Sequence, residues 1–400
     1  MTAATAEPQS EIAANWRAVA VGFVMAFFAW GMIFYAHGVF KAALEAKHGW
    51  SGLMLSYAQA WFWFVGAFAA FAAGWAVDRF GPRAVACYGA YATAIGVAAV
   101  GLVETPWQLF LAYALLGTAY PPIGNLGISA ALAPLFDRDY GKALSYALTG
   151  ASIGGAAVTP LYIWLTTSVG FEWASGLLGA ATLICLTPLL RWAPARSAAA
   201  SAGRDPAGDA AFRAAVRSPT YWAIWATGFV SFTGQVGFLL HEISILTPRM
   251  GLVAAGYAVS VTVLAAAVGR FVLGWAARHA PLGLVAAGAY LIQVSGFVIL
   301  NLVPGVAAAF LGAAVVGFIV GPLVMLPAML VRSAFGGAGF GRMFGLSSIG
   351  MFAGMTIGPG LAGYVASTAG YSVAIWMYAA CLTTAALIVA LGFRPAGSRG

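Results

Sequence analysis

The chain has 400 residues, 62% of them hydrophobic and only 8% charged, with a net charge of +8. Soluble domains carry about 25% charged residues, so the body of this chain belongs in lipid. The basic residues are not gathered on one soluble face, which excludes nucleic acid as a partner.

Residues 1–16 are polar, without the basic leader and cleavage site of a signal peptide. They read as a short cytoplasmic tail. Apolar stretches then follow one another at about 17–40, 52–76, 84–104, 107–134, 142–167 and 172–192. After a break come 219–247, 253–277, 282–302, 306–332, 342–367 and 370–392. Lipid excludes open sheet edges, and the alternating pattern of membrane strands is absent. The expected fold is therefore an all-α membrane protein with twelve transmembrane helices. Cys87, Cys185 and Cys381 are far apart in apolar runs and read as buried thiols, without metal or disulfide spacing.

Charge sets the orientation. With the N-terminus inside, the inner segments hold Arg17, Arg79, Arg83, Arg138, Lys142, Arg191, Arg196, Arg204, Arg213, Arg217, Arg278, Arg332, Arg342, Arg394 and Arg399. The outer ends hold only Lys41, Lys47 and Arg249. The positive-inside rule then puts both termini in the cytoplasm, in a plasma (inner) membrane.

The break at 193–218 is rich in Ala, Ser, Gly, Pro and Arg and reads as a cytoplasmic linker. It divides a six-helix bundle at 17–192 from a second at 219–393, with a tail at 394–400. The halves repeat at an offset of 200 residues: Gly74-Trp75-Ala76 with Gly274-Trp275-Ala276, Pro122 with Pro322, Gly150 and Gly154 with Gly350 and Gly354, Gly170 with Gly370. Repeated halves place a site at their interface.

One residue stands out. Arg270 is the only charged side chain in 254–277. The nearest charged end, Arg278, is about 12 Å away along a helix. Three roles fit it: an anion site facing a wet cavity, a pair with a carbonyl or polar side chain, or a long snorkel. Other polar groups inside spans are candidates for the same pocket: Tyr35, His37, Tyr120, Asn125, Gln235 and His241. The alternative for each is interhelical bonding or, for the histidines, a satisfied core position. Glu242 is an acid of some depth in the second half, with the outer surface as its alternative location. With no Asp or Glu near the centre of a span, histidine is the expected proton carrier, its ordinary pKa being about 6.5.

The loop after the second span reads Gly74-Trp75-Ala76-Val77-Asp78-Arg79-Phe80-Gly81-Pro82-Arg83. This resembles the signature loop of the major facilitator superfamily, matching at Gly74, Asp78, Arg79, Gly81 and Arg83. The resemblance implies two pseudo-symmetric bundles and a gating role for those five residues. Its second-half counterpart, GWAARHAPLG, lacks the acid.

Within that superfamily the chain is similar to monocarboxylate transporters and their bacterial relatives, including oxalate–formate-type antiporters. The similarity rests on Tyr35-Ala36-His37-Gly38-Val39-Phe40, His48-Gly49-Trp50-Ser51, Gly141-Lys142-Ala143-Leu144-Ser145 and Gly269-Arg270-Phe271-Val272-Leu273-Gly274-Trp275. It implies that Arg270 binds a substrate carboxylate. Two departures stand against the family pattern: Ala266 replaces an aspartate four residues before the arginine, and Lys41 is displaced from the expected lysine of helix 1. The oxalate-type second cation in helix 11 is also missing, which favours a monocarboxylate.

The expected function is proton-coupled transport of a small monocarboxylate by alternating access. The alternatives are carboxylate exchange and a non-transporting solute sensor. No phosphate loop or zinc motif supports an enzyme. The expected partners are a small carboxylate, protons and the bilayer; no cofactor or metal is expected, and the expected assembly is a monomer.

Overall fold

The computed structural model describes residues 11–194 and 206–394, where all regular structure is helical. The parts of the expected tails and linker at 1–10, 195–205 and 395–400 lie outside the described residues. The first half runs α1 (Glu11–His48), α2 (Gly52–Phe80), α3 (Pro82–Gly101), α4 (Pro106–Ile123 continued by Asn125–Leu132), α5 (Tyr140–Val169) and α6 (Phe171–Trp192). The second runs α7 (Pro219–Gly251), α8 (Ala254–His279), α9 (Leu282–Leu302), α10 (Val306–Phe335), α11 (Phe340–Ala369) and α12 (Tyr371–Gly392). Among the described residues, 11 helices are each long and apolar enough to cross a membrane. The remaining crossing is α4, which is broken.

The break is local chemistry. Pro121 and Pro122 remove two backbone donors, and Gly124 is extended at φ −84°, ψ −156°. The expected continuous span at 107–134 is thus two consecutive helical pieces. α1 differs as well. It starts at Glu11, whose carboxylate accepts from the backbone N–H groups of Asp137, Arg138 and Asp139 at 3.0–3.4 Å. Its middle, Ala29–Phe34, is a π-helix, a form that collects at functional positions. Cys185, expected to be buried, is exposed on the flank of α6.

Helices α1–α6 pack mainly on one another, as do α7–α12; the halves meet along α2–α11 and α5–α8. A short helix, Pro206–Val216, lies against the start of α11. The side of the bundle carrying it is called the linker face below, and the opposite side the far face.

The repeated glycines are explained by close approach. A methyl at Gly150 would stand 2.0 Å from the Phe23 carbonyl oxygen, and one at Gly154 2.2 Å from that of Phe27. In the second half, Gly354 meets the Phe229 oxygen at 2.4 Å and Gly350 that of Trp225 at 2.9 Å. So α5 lies backbone-to-backbone on α1, and α11 on α7. Small residues permit this where lipid supplies no hydrophobic drive between helices. Gly170 and Gly370 form the matching turns after α5 and α11, at φ 90° and 85°, which only glycine adopts without strain.

A paired substitution tests this packing. Gly150→Ala forces α1 and α5 apart and is expected to cost about 1–3 kcal/mol, lowering the melting temperature in detergent. Gly176→Ala adds a methyl that meets nothing within 4 Å and is expected to leave it unchanged. Equal melting temperatures would refute the contact.

Candidate functional site

Between the halves lies a cavity of about 70 Å³, walled by residues of α1, α4, α7, α8, α10 and α11. The helix breaks described above aim side chains into it. Tyr35 follows the π-helix of α1, its ring lying over Gly155, where a methyl would be 2.5 Å away. Tyr120 is 5% exposed and packs edge-on to Trp30, Trp63 and Phe352 at 5.6–6.1 Å. Asn125 opens the second piece of α4. Its Nδ2 donates to the Val324 carbonyl of α10 at 2.7 Å, and its Oδ1 accepts from Ser129 at 3.1 Å. Gln235 is held by Gln293 of α9, whose Nε2 donates to its Oε1 at 3.3 Å.

Arg270 reaches the same cavity from α8 and is 5% exposed. Its stem is fixed by glycines: α8 and α10 touch at Gly269, Gly317 and Gly321, and a methyl at Gly321 would lie 2.7 Å from Arg270 Cγ. Its Nη1 donates to Ser152 Oγ of α5, in the other half, at 2.7 Å. Its Nε is buried with no hydrogen-bond partner. Among the described residues no carboxylate pairs with it. The guanidinium is thus a buried cation with donors to spare, and an anion would complete it.

The structure therefore brings Tyr35, Tyr120, Asn125, Gln235 and Arg270 together. His37 and His241 are not part of the lining. His37 lies inside the first bundle, boxed by Phe40, Phe62 and Tyr113, with Nδ1 2.5 Å from the Ile33 carbonyl. His241 points to the Pro359 carbonyl of α11 at 3.3 Å and to Tyr371. His37 is buried in the bundle and His241 is half-buried against α11 and α12, because a helix offers polar side chains to its neighbours as readily as to a cavity. Lys41 is exposed and also stays away. Sequence reasoning missed Ser152 and Phe352. The repeat offset pairs these two positions, and both turn to the centre: Ser152 meets Arg270, while Phe352 meets Trp63 at 5.7 Å.

The signature loop divides in two. Asp78 crosses between the halves. Its Oδ1 accepts from Gly341 N at 3.0 Å, and its Oδ2 from Arg342 N and Nε at 3.0 and 2.9 Å. It thereby neutralises the N-terminus of α11, where free N–H groups and the helix dipole favour an anion. Gly74 permits this: a methyl there would be 2.1 Å from the Gly341 oxygen. Arg342 also pairs with Asp209 of the linker helix. Arg79, Gly81 and Arg83 remain in the first half. Arg79 sits over Trp75 and Phe80, Gly81 ends α2 at φ 85°, and Arg83 Nε donates to the Ala193 carbonyl at 3.0 Å.

A second bridge stands at the repeat-related place. The counterpart of Asp78 is Arg278, which pairs with Asp139 at 3.1 Å. Arg332 adds a third, to Asp137 at 3.0 Å and the Ala133 carbonyl at 3.1 Å. Among the described residues, the hydrogen bonds, ion pairs and ring contacts between the halves lie from the level of Trp63–Phe352 to the linker face. That face is closed.

A family model described as Major Facilitator Superfamily matches residues 19–340. The chain belongs to the major facilitator superfamily. No curated relative matches the sequence. Solved structures agree on the fold. A variant of the E. coli fucose:proton symporter superposes with a TM-score of 0.76 at 15% identity, over 95% of this chain and 98% of that one. The proton:xylose symporter XylE, bound to a bromodeoxyglucose, gives 0.71 at 13% identity, over 94% of each chain. A bacterial homologue of the iron transporter ferroportin, in an outward-facing state, gives 0.72 at 13%, over 94% and 98%. The protein is a multi-pass membrane transporter of the superfamily, not an enzyme.

The gating role expected of Asp78 can be tested directly. Asp78→Asn keeps the shape and removes the charge from bonds that are worth about 1.5–3 kcal/mol each when charged. The closed population of the linker face is expected to fall by about tenfold or more, one factor of ten per ~1.4 kcal/mol. Spin-label distances across that face measure it; an unaltered distribution would rule that role out.

Proposed function

We propose that this transporter carries a small monocarboxylate together with protons across the inner membrane by alternating access. Both termini lie in the cytoplasm, because the basic residues collect at the linker face. The closed linker face is then the cytoplasmic gate, and the conformation is outward-facing. Arg270 binds the carboxylate, and Tyr35, Tyr120, Asn125 and Gln235 shape the pocket.

One observation carries this reading. A buried guanidinium stands in the cavity between the halves, with Nε unpartnered and no acid beside it. Ala266 holds the place one turn before it, so no resident carboxylate competes with an incoming one. The free volume of about 70 Å³ suits one small acid. One cation matches one carboxylate, which supports a monocarboxylate over a dicarboxylate. Transport of a monoanion with one proton is electroneutral, so the membrane potential does not oppose it.

The alternating movement follows from the contacts. The halves touch through backbone at Gly74 and Gly341 and through mostly buried to partly exposed ion pairs at the linker face. Closing the far side over a bound anion and parting these pairs turns the cavity toward the cytoplasm, with the bundles moving as units.

Binding across a panel of small carboxylates tests the proposal. Removing one side of a desolvated charge pair costs about 2–5 kcal/mol. Arg270→Ala is therefore expected to weaken binding of the best carboxylate about 30-fold or more. Arg270→Lys is expected to restore little of it, since lysine lacks the planar fork. Unchanged affinity in folded Arg270→Ala would sink the assignment.

A further inference from the structure

The second half contains an acid that the cavity does not use. Glu242 lies on α7, two turns from Gln235 toward the far face, and is 1% exposed. The sequence left open an outer-surface location for it; the structure buries it between α7, α8 and α10. Its Oε1 is 2.5 Å from Thr262 Oγ1 of α8. Thr262 Oγ1 has two further oxygen neighbours, the carbonyls of Ala258 and of Ala313 on α10, each at 3.2 Å.

The ionisable groups on the surrounding helices are turned away or distant. On α7, His241 points to α11 and Arg249 stands two turns farther out. On α8, Tyr257 is 66% exposed, and Arg270 is two turns beyond Thr262 toward the linker face. On α10 the only ionisable group is Arg332, near the linker end. Tyr290 of α9 is buried in its own packing. Among the described residues, no cation forms an ion pair with Glu242.

A threonine hydroxyl has one hydrogen to give. Were Glu242 ionised, that single hydrogen would be all that compensated a buried charge, which is costly without a cation. With the carboxyl protonated, the account closes differently. The acid donates to Thr262 Oγ1, and Thr262 donates on to the Ala313 carbonyl. Every hydrogen then has an acceptor, and three helices are joined.

We propose that Glu242 is a proton-binding site, in which the neutral acid, Thr262 and the Ala313 carbonyl form a clasp across α7, α8 and α10. This rests on the proton-coupled part of the function proposed above and is independent of which solute is carried. On release, the proton passes to water, and the carboxylate must gain water in its place, so the clasp opens. α7 carries Gln235 and α8 carries Arg270, so both cavity walls are tied to the state of the clasp. By linkage, whatever favours the closed clasp favours the bound proton. Rising pH therefore populates the loosened arrangement, and falling pH the clasped one.

Two measurements without substrate test this. Infrared spectra of the purified protein at neutral pH are expected to show the carbonyl band of a protonated acid. The band should be absent in Glu242→Gln and shifted in Thr262→Val, which keeps the acid and removes its acceptor. Spin-label distances across the far face are expected to shift between mildly acidic and mildly alkaline pH in the unmodified protein. In Glu242→Gln, a permanent mimic of the neutral form, they should stay at the acidic-pH distribution. A spectrum that Glu242→Gln leaves unchanged, or distances that keep the unmodified pH response in that variant, would overturn the proposal. Neither readout needs a carboxylate ligand, so failure of Arg270 as an anion site would leave this result standing, and the reverse.

Discussion

Helices in a bilayer gain nothing from hiding apolar surface from one another, so this molecule holds together where backbones can touch. Two kinds of seam use that contact. Within each half, α5 lies on α1 and α11 on α7 along repeated glycines. Between the halves, Gly74 meets Gly341 and Gly274 meets Gly141. The first kind is apolar along its length and has nothing to replace it once parted. The second ends in ion pairs at the linker face. Those pairs range from mostly buried, Asp78–Arg342 at 14% and 13% exposure, to partly exposed, Arg332–Asp137 at 21% and 88%; water can replace such partners as they part, so on the alternating-access reading the inter-half seam is the one that opens.

The cavity carries the opposite economy. Arg270 sits where water is scarce, and one serine from the other half satisfies one of its donors. An acid at position 266 would lower the cost of burying the cation and would also occupy it. Ala266 leaves the charge uncompensated, and the scaffold bears the difference through the close packing of α8 on α10 at Gly269, Gly317 and Gly321. The arginine is thus held in place by contacts that do not involve its charge. The charge remains available to a ligand.

Much of this arrangement was legible in the chain. The spans, the repeat and the isolated arginine follow from hydropathy and from a 200-residue offset. Tyr35, Tyr120, Asn125 and Gln235 were found because they are polar inside apolar runs, and the cavity collects them. His37, His241 and Glu242 carry the same signal and pack against neighbouring helices instead, His241 half-buried, because hydropathy separates lipid from protein and does not separate core from cavity. The break in α4 was visible as Pro121-Pro122 and Gly124, yet a span-length window averages over it. The π-helix of α1 has no marker among its residues. Ser152 is one small polar residue in a helix of small residues, and only its repeat partner Phe352 marks the position as central.

The two inter-half ion pairs, Asp78–Arg342 and Asp139–Arg278, show what a repeat preserves when its letters change. Position 78 holds an acid, and position 278 a base. What stays constant is an acid at the start of the facing helix. For α11 that acid is Asp78, supplied across the seam to Gly341 and Arg342. For α5 it is Asp139, at the N-cap position of the helix itself, answered by Arg278 from across the seam. The helix dipole prefers the same sign at both places, so the acid can move from one side of the seam to the other provided its partner moves with it. The exchange has a mechanical consequence. When the linker face opens, α5 keeps its acid, while α11 loses the one from α2 and retains only Asp209 on Arg342. On the alternating-access reading, opening therefore uncovers more unpaired backbone charge at α2–α11 than at α5–α8, and the α2–α11 side is the one expected to set the resistance of the gate.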